Sequence, residues 1–577
     1  MCGSIRMCCR RIYFLSSAIS YKLFAPSMLT VKDHWERLFE RDTVGAVEAL
    51  LPSALLSARW YGGKARTIAA VHVKETIPLH TGAHSMVLIF MDVSYKDGGP
   101  EVYTMVLTAS FGEPAVQIQQ AHPEAVLAEV TIAGLSGDRR GLLHDALSDH
   151  ACAGALLYAI RQENRFQGEN GTLLASSIPA FSTALAETAS AESFVMQGEQ
   201  SNTSVRFDRH AILKLYRRFE PGLNPDLEIG RVLTARGYAH SPAVLGSLEY
   251  TRPDQQPGTV AIVSRFVENQ GDAWRYTLSE LDAELADGSG SAMSASSAYP
   301  DAAALLGRRT AELHIALAQH TADPVFVPEP CNLGYWQSLR DRMIRSVEDA
   351  LALLGRRIQD LHGQNRQRAT LVLESKAILL SRLEAPVKRN PRAVRIRCHG
   401  DFHLGQVLYT GRDFVIIDFE GEPARPLSER RAKHVPIVDV AGMIRSFHYA
   451  ASVALDRAGN RPDADERRSE LEQRMKQWYQ AVMEAFLTGY AETAGKASFL
   501  PQKSEDRDLL LDAYLMEKAC YELNYELNNR PSWAGIPING LLQLIQTMDS
   551  ECWVGDESPT QHSNGGVGEY TGSDDDC

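Results

Sequence analysis

The stretch Val394–Gly421 constrains this chain most. It reads Val-Arg-Ile-Arg-Cys-His-Gly-Asp-Phe-His-Leu-Gly-Gln-Val-Leu-Tyr-Thr-Gly-Arg-Asp-Phe-Val-Ile-Ile-Asp-Phe-Glu-Gly. Two short apolar runs, Gln406–Tyr409 and Phe414–Ile417, flank the turn-rich Thr410-Gly411-Arg412-Asp413, a pattern that predicts a β-hairpin. Asp401 precedes the first strand and Asp418 closes the second, so strand pairing brings both carboxylates to one end of a small sheet. The spacing Asp401…Gln406…Asp418 suits one base and two divalent-metal ligands, the parts that phosphoryl transfer requires. In that reading Asp401 orients an acceptor hydroxyl and takes its proton, while Gln406 and Asp418 hold Mg²⁺ against the phosphates of ATP.

Composition removes other classes. With 577 residues, 44% hydrophobic and 23% charged, the chain has material for two to four structural units. A formal net charge of -13 argues against nucleic acid as a partner. No apolar run reaches the roughly 18 residues of a membrane-spanning helix, so no membrane partner is expected. The nine cysteines are odd in number and dispersed, which reads as reduced thiols of a cytoplasmic protein. Residues 1–27 carry Arg6, Arg10 and Arg11 before a short, Ser-interrupted apolar stretch; this is a poor export signal, and we read the segment as an extension upstream of a start at Met28.

Taken in order, residues 28–156 form a first unit. Trp35, Leu38, Phe39, Val44, Val47, Leu50 and Leu51 recur at helical spacing, and the alternating segments Ile68–Val73, Ser85–Asp92 and Val102–Ala109 predict strands. Between them Arg59-Trp60-Tyr61-Gly62-Gly63-Lys64 reads as a tight turn with aromatic core residues. Residues 157–270 form a second unit with a strand-turn-strand at 194–207 and a further strand, Ala211–Tyr216, that carries Lys214. Asn224 and Pro225 open a helix ending at Gly237 and containing Glu228. A strand lysine facing a helix glutamate is the ion pair that positions nucleotide phosphates, so Lys214 and Glu228 are expected to meet. The polar turn leading through Ser201, Asn202, Thr203 and Ser204 offers amides and hydroxyls to phosphates. Val267 ends an apolar strand, Thr259–Val267, at a position where backbone groups would meet an adenine edge.

Residues 271–553 read as a mainly helical unit, with a Gly/Ser/Ala-rich insertion at 287–297, helices over 302–382, and further helices at 438–454, 471–490 and 506–528. His314 reads as a core or capped histidine. Basic residues after the hairpin, among them Arg430 and Lys433, follow Asp418 directly and suit a role at the site. In the last helix Tyr521/Tyr525 and Glu522/Glu526 lie four residues apart on shared faces, which suits either a sugar or a core helix with exposed acids. The tail over 554–577 is polar and low in complexity.

The motif His399-Gly400-Asp401-Phe402-His403-Leu404-Gly405-Gln406 with Asp418-Phe419-Glu420-Gly421 resembles the aminoglycoside-phosphotransferase-like kinases, and more closely the bacterial maltokinases. The likeness extends to Arg59–Lys64, Glu199–Ser204, Arg265-Phe266-Val267, Leu427–Ala450, and Tyr521-Glu522 through Asn529-Arg530-Pro531-Ser532-Trp533. It implies an α+β fold: a protein-kinase-like bilobal body with an N-terminal α/β cap and a mainly helical C-lobe. It also implies ATP-dependent phosphorylation of maltose at the anomeric hydroxyl, giving maltose 1-phosphate for α-glucan (glycogen) synthesis. The acceptor side is then assigned to His403, Glu420, Arg430, Lys433, Glu522, Tyr525 and Glu526. Gln406 departs from the asparagine of the wider kinase pattern by one methylene and keeps the same amide oxygen as ligand. Maltokinases are sometimes fused to trehalose synthase; this chain has no room for that barrel, so such an enzyme is a candidate partner, with the chain itself a monomer or homodimer. Two alternatives stay open: a kinase for another small hydroxylated molecule, such as an aminoglycoside or another sugar, and a catalytically silent glucan-binding scaffold.

Overall fold

The computed structural model describes residues 28–134, 137–178, 192–196, 201–286, 299–459 and 464–546. The expectations for residues 1–27, Glu199-Gln200, the 287–297 insertion and the 554–577 tail fall outside these. The chain divides into two compact units, Met1–Ala153 and Gly154–Cys577.

The first unit is a sheet whose strands lie in the order Met28–Lys32, Val126–Ala133, Arg139–Asp145, Glu101–Phe111, His84–Tyr95 and Ile68–Thr81. The three long strands pair antiparallel as a meander. Val87, Ile89, Met91 and Val93 alternate onto one face and pack with Trp35, Leu38, Val47, Leu51 and Leu55. The helical reading of the first segment is corrected here. Met28–Lys32 is a strand, parallel to Val126–Ala133, with Leu29 and Val31 buried in alternation. Asp33 then takes a left-handed φ of 67°, and only short pieces, Trp35–Phe39, Val44–Glu48 and Leu51–Ser57, follow. The Trp60-Tyr61-Gly62-Gly63 motif proves to be packing: the Tyr61 hydroxyl donates to that of Tyr95 at 3.1 Å, and a Cβ on Gly63 would lie 2.5 Å from both hydroxyl oxygens.

The second unit begins with an antiparallel sheet in the order Arg165–Gln167, Thr172–Ser177, Val244–Thr251, Gly258–Arg265, Ala211–Tyr216, Asn202–Phe207 and Ser193–Val195. Lys214 lies opposite Ser204 on one side and Ile262 on the other, in the middle of the sheet. The helix Pro225–Ala235 starts as its sequence predicts, with the Asn224 side chain accepting from the Asp226 amide at 2.9 Å. A helical lobe follows, built on Tyr299–Ala318, Leu333–Arg357, Ile437–Gly459, Ala464–Ala494 and Ser504–Asn529. Its core holds Trp336, Phe447, Trp478 and Tyr490. Tyr299–Ala318 and Ala464–Ala494 touch backbone to backbone, because Gly307 and Gly489 lack the Cβ that would strike the opposing carbonyls of Phe486 and Ala304. The fold is the expected α+β: a β-rich cap, a sheet-bearing lobe and a helical lobe. No helix among the described residues is long and apolar enough to cross a membrane.

Candidate active site

The hairpin forms as the sequence requires. Val407–Tyr409 pairs with Phe414–Ile416, and Thr410 and Asp413 close the turn through Asp413 N–H to Thr410 Oγ1 at 3.1 Å and Thr410 N–H to the Asp413 carbonyl at 2.9 Å. Arg309, from the helical lobe, grips the Asp413 carboxylate with two bonds of 2.9 Å. Beyond the second strand Asp418 adopts φ 65°, a conformation uncommon for a residue with a Cβ and typical of functional turns. Gly400 and Gly421, also left-handed, pass so closely that a Cβ on Gly400 would lie 3.4 Å from the Gly421 Cα.

The loop carrying Asp401 is held from below by Asp439. Its carboxylate accepts the backbone N–H groups of His399 at 2.8 Å and Gly400 at 2.9 Å, and bonds His314 Nε2 at 3.0 Å. His314 in turn bonds the Tyr490 hydroxyl at 2.9 Å, so it is the capped core histidine anticipated. Burial pushes the Asp439 carboxyl up, but His314, His399 and the Gly400 amide outweigh it and hold it below the usual carboxylate range. Asp439 was missed in the sequence reading. The available signal was an acid in the first turn of an otherwise apolar helix, a charge that can be buried only if it is fully bonded.

The nucleotide side gathers around Lys214. Its ammonium bonds Asp418 Oδ1 at 2.6 Å, Glu420 Oε1 at 2.6 Å and Asp226 Oδ2 at 3.2 Å. Burial pulls this lysine down, yet the three carboxylates raise it well above its ordinary value. Asp226 therefore occupies the place expected of Glu228. Two residues on a helix lie roughly 200° apart around the axis, so when Asp226 faces the sheet Glu228 faces away. There Glu228 bonds the buried Arg397, and Arg431 at 2.6 Å. Glu420 is likewise displaced from the acceptor assignment: it joins Lys214 and accepts from Asn202 Nδ2 at 2.7 Å. Ser204 lies opposite Lys214 on the neighbouring strand, Thr203 accepts from Arg217 Nε at 2.8 Å, and Ser201 is exposed at the strand's start. Val267 follows the strand Gly258–Arg265, its carbonyl accepting from the Asn269 side chain at 2.8 Å.

Asp226, Asp418 and Glu420 offer carboxylate oxygens within 4.8 Å of one another. The Gln406 side chain adjoins them, its amide donating to Asp418 Oδ2 at 2.8 Å; rotating the amide by half a turn presents oxygen instead. A set of hard oxygen donors around a buried lysine fits Mg²⁺.

On the acceptor side the structure puts forward residues the sequence did not. Lys518 of the last long helix donates to Asp401 Oδ1 at 3.1 Å and stands 3.9 Å from Glu422 Oε2. His403 Nε2 approaches Asp401 Oδ2 at 4.0 Å. Burial raises the Asp401 carboxyl, but Lys518 and His403 bring it below its ordinary value. A small cavity beside Gly400 is lined by Glu422, Arg425, His434, Tyr514 and Glu517. Several expected acceptor residues are occupied elsewhere. Lys433 points away, bonding Glu329 at 2.5 Å and the Pro324 carbonyl at 2.8 Å. Arg430 braces the loop through Glu220 and the carbonyls of Arg425 and Glu420. Glu522 is paired with Arg445 at 2.6 Å, and the buried Glu526 with Arg530 at 2.6 Å and Tyr449 at 3.3 Å. Tyr525 is exposed. Lys518 lies four residues before Glu522, one turn earlier on the same helix.

Residues 55–149 match the model of the maltokinase N-terminal cap domain, and residues 195–478 that of the phosphotransferase enzyme family. Two curated relatives are glucosamine kinases. That of Streptacidiphilus jiangxiensis is 26% identical over 356 residues, spanning 60% of this chain and 72% of its own. That of Mycolicibacterium smegmatis is 26% identical over 349 residues, spanning 60% and 78%. Among solved structures, a glucosamine kinase in complex with glucosamine, ADP and inorganic phosphate superposes with a TM-score of 0.58 at 19% identity, covering 89% of this chain and 100% of that one. A second crystal form gives 0.59.

Proposed function

The chain belongs to the phosphotransferase enzyme family and bears a maltokinase-type cap, and from that premise we propose that it transfers the γ-phosphoryl group of ATP to the anomeric hydroxyl of maltose. The observation that carries this reading is the common origin of two charge clusters: one hairpin sends Asp401 to the acceptor side and Asp418, with Gln406, to the Lys214 cluster. In the step, the acceptor oxygen bonds the γ-phosphorus as the bond to the β,γ-bridging oxygen breaks. The hydroxyl proton passes to Asp401, and ADP leaves with the electron pair. Mg²⁺, held by Asp418 and Gln406 with Glu420 and Asp226 in reach, would neutralise phosphate charge. Lys214, fixed by Asp226, would pair with the α- and β-phosphates. Asp401 need not be a strong base, since positioning and electrostatics dominate a loose transition state.

The maltokinase-type cap is what favours maltose over an amino sugar. Asp401 and Glu422 share Lys518, Glu517 faces Arg425 at 3.4 Å, and Glu522 is held by Arg445. These four carboxylates face three cations, so the charge of the group admits the ammonium of an amino sugar as well as a neutral sugar. Glucosamine is the second reading, supported by the relatives' activity. The test is ATP turnover with each sugar and NMR identification of the product. ADP release with maltose, together with an anomeric phosphate signal, supports the proposal. Turnover on glucosamine alone would replace it with the second reading, and no turnover on any sugar would favour a silent scaffold. An anomeric phosphate would feed α-glucan synthesis in the cytoplasm, with trehalose synthase as a candidate supplier of maltose. Four cysteines described here, Cys152, Cys331, Cys398 and Cys520, are free thiols, as that compartment requires.

A further inference from the structure

Phosphoryl transfer spreads negative charge over the equatorial oxygens of the moving group, so a cation is needed where donor and acceptor meet. Most basic residues of the two charge clusters are committed. Lys214 is surrounded by Asp226, Asp418 and Glu420 on the nucleotide side. Arg430 is bonded to Glu220 and to two carbonyls, Arg445 to Glu522, and Arg431 to Glu228. His403 is close to Asp401, but burial and the nearby Lys518 charge hold its imidazole below the usual range, against the pull of Asp401. Lys518 differs from all of these. Its ammonium lies 3.1 Å from Asp401 Oδ1, at the acceptor-side carboxylate, and only 3.9 Å from Glu422. The side chain is 26% exposed, as is that of Arg431, but only the Lys518 ammonium is bonded to Asp401. Tyr521, whose ring centroid is 4.9 Å from the ammonium, supports it from the same helix.

We propose that Lys518 is a catalytic residue of the transfer step: it leaves Asp401 as the acceptor hydroxyl arrives and contacts the phosphoryl group in transit. The proposal rests on the assignment of Asp401 as acceptor base. Lys518 stays protonated throughout; Asp401 takes the hydroxyl proton, the acceptor oxygen gains the phosphorus, and ADP departs with the electrons of the broken bond. The residue is unusual in its origin, since it reaches Asp401 across 117 residues of sequence from the last long helix, not from the loop that carries the base.

The alternative is that Lys518 only positions Asp401, and a double-mutant cycle separates the two roles. Full-length Lys518→Met, Lys518→Gln, Lys518→Arg, Asp401→Asn and Asp401→Asn/Lys518→Met are compared by single-turnover rate with maltose and ATP, by KM for ATP and by melting temperature. The expected loss for Lys518→Met is about 10²–10³-fold in rate, with KM for ATP little changed and Lys518→Arg retaining more activity than Lys518→Met. The double variant is expected to be slower than Asp401→Asn, because a contact with the phosphoryl group persists without the base. A double variant no slower than Asp401→Asn overturns the proposal, as does a Lys518→Met enzyme within about threefold of wild type. If Lys518→Met melts early, the Lys518→Arg comparison carries the test: equal activity of a folded Lys518→Gln and Lys518→Arg overturns it. An Asp401→Asn enzyme retaining more than about a tenth of activity indicts the base assignment itself.

Discussion

Gly442, near the start of the helix Ile437–Gly459, stands where a Cβ would lie 2.6 Å from the carbonyl oxygen of Phe402, the residue after the proposed base. The helix thus supports the loop by direct backbone contact, and Asp439, one turn earlier, bonds the same loop at His399 and Gly400. Gly442→Ala adds a methyl group where there is no space for one. We expect an overpacking cost of about 1–3 kcal/mol and a kcat loss of up to about 10²-fold from displacement of Asp401, with KM for ATP much less affected. Steady-state kinetics beside thermal melting checks this; a wild-type kcat would mean that the loop's position does not limit the reaction.

Glu228 pairs with Arg397, whose side chain is 0% exposed, and with Arg431. Glu228→Gln leaves a buried guanidinium without its counter-charge, a change expected to cost about 3–5 kcal/mol of stability. Burial raises the Glu228 carboxyl, but Arg431 and Arg397 bring it below its ordinary value. Its contribution is accordingly complete above roughly pH 4.3 and is lost as pH falls through the lower folded value. Denaturant melts of wild type and variant should differ widely at neutral pH and converge in acid. A constant gap at all pH values would show that the ion pair is not the cause.

Much of this was legible locally. The hairpin, its turn and the Asn224 cap depend on neighbours in sequence, so residue order alone specified them. The Lys214 pairing was half legible. A strand lysine and an acid-bearing helix were evident, but which acid faces the sheet depends on rotation about the helix axis, and that is set by packing. The contacts of Lys518 and Asp439 with the Asp401 loop span 117 and 40 residues and leave no local pattern. The first unit misled for a related reason: short helical pieces separated by turns mimic the 3.6-residue spacing of one long helix.

Asp439 bonds two backbone amides that fix the direction of the loop carrying Asp401. Asp439→Asn keeps the shape but can satisfy only part of this network, since its amide nitrogen donates where the loop also donates. Expected results are a kcat loss of about 10²-fold and a circular dichroism spectrum unchanged from wild type. Asp439→Ala should cost more stability, because it leaves His314 and both amides without their shared acceptor. A fully active Asp439→Asn enzyme would remove this residue from the account of the site.

Glu420 belongs to the carboxylate cluster proposed to hold Mg²⁺, where a proton would compete with the metal. Burial raises its carboxyl to about 7, with Asp418 and Asp226 adding to the rise and Lys214 opposing it. Below that pH the group carries a proton and one negative charge is missing from the cluster; above it, the charge is available to a cation. A divalent ion must therefore displace a proton at low pH and has none to displace at high pH. The apparent affinity for Mg²⁺-nucleotide should rise by about tenfold in all between pH 6 and 8, most steeply below pH 7. Glu420→Gln, which cannot ionise, should bind more weakly and show a flat profile over that interval. Calorimetric titration of the Mg²⁺-ADP complex into both proteins at three pH values gives the comparison. An unchanged slope in the variant would assign the titration to another group and leave Asp418 and Gln406 as the ligands that matter.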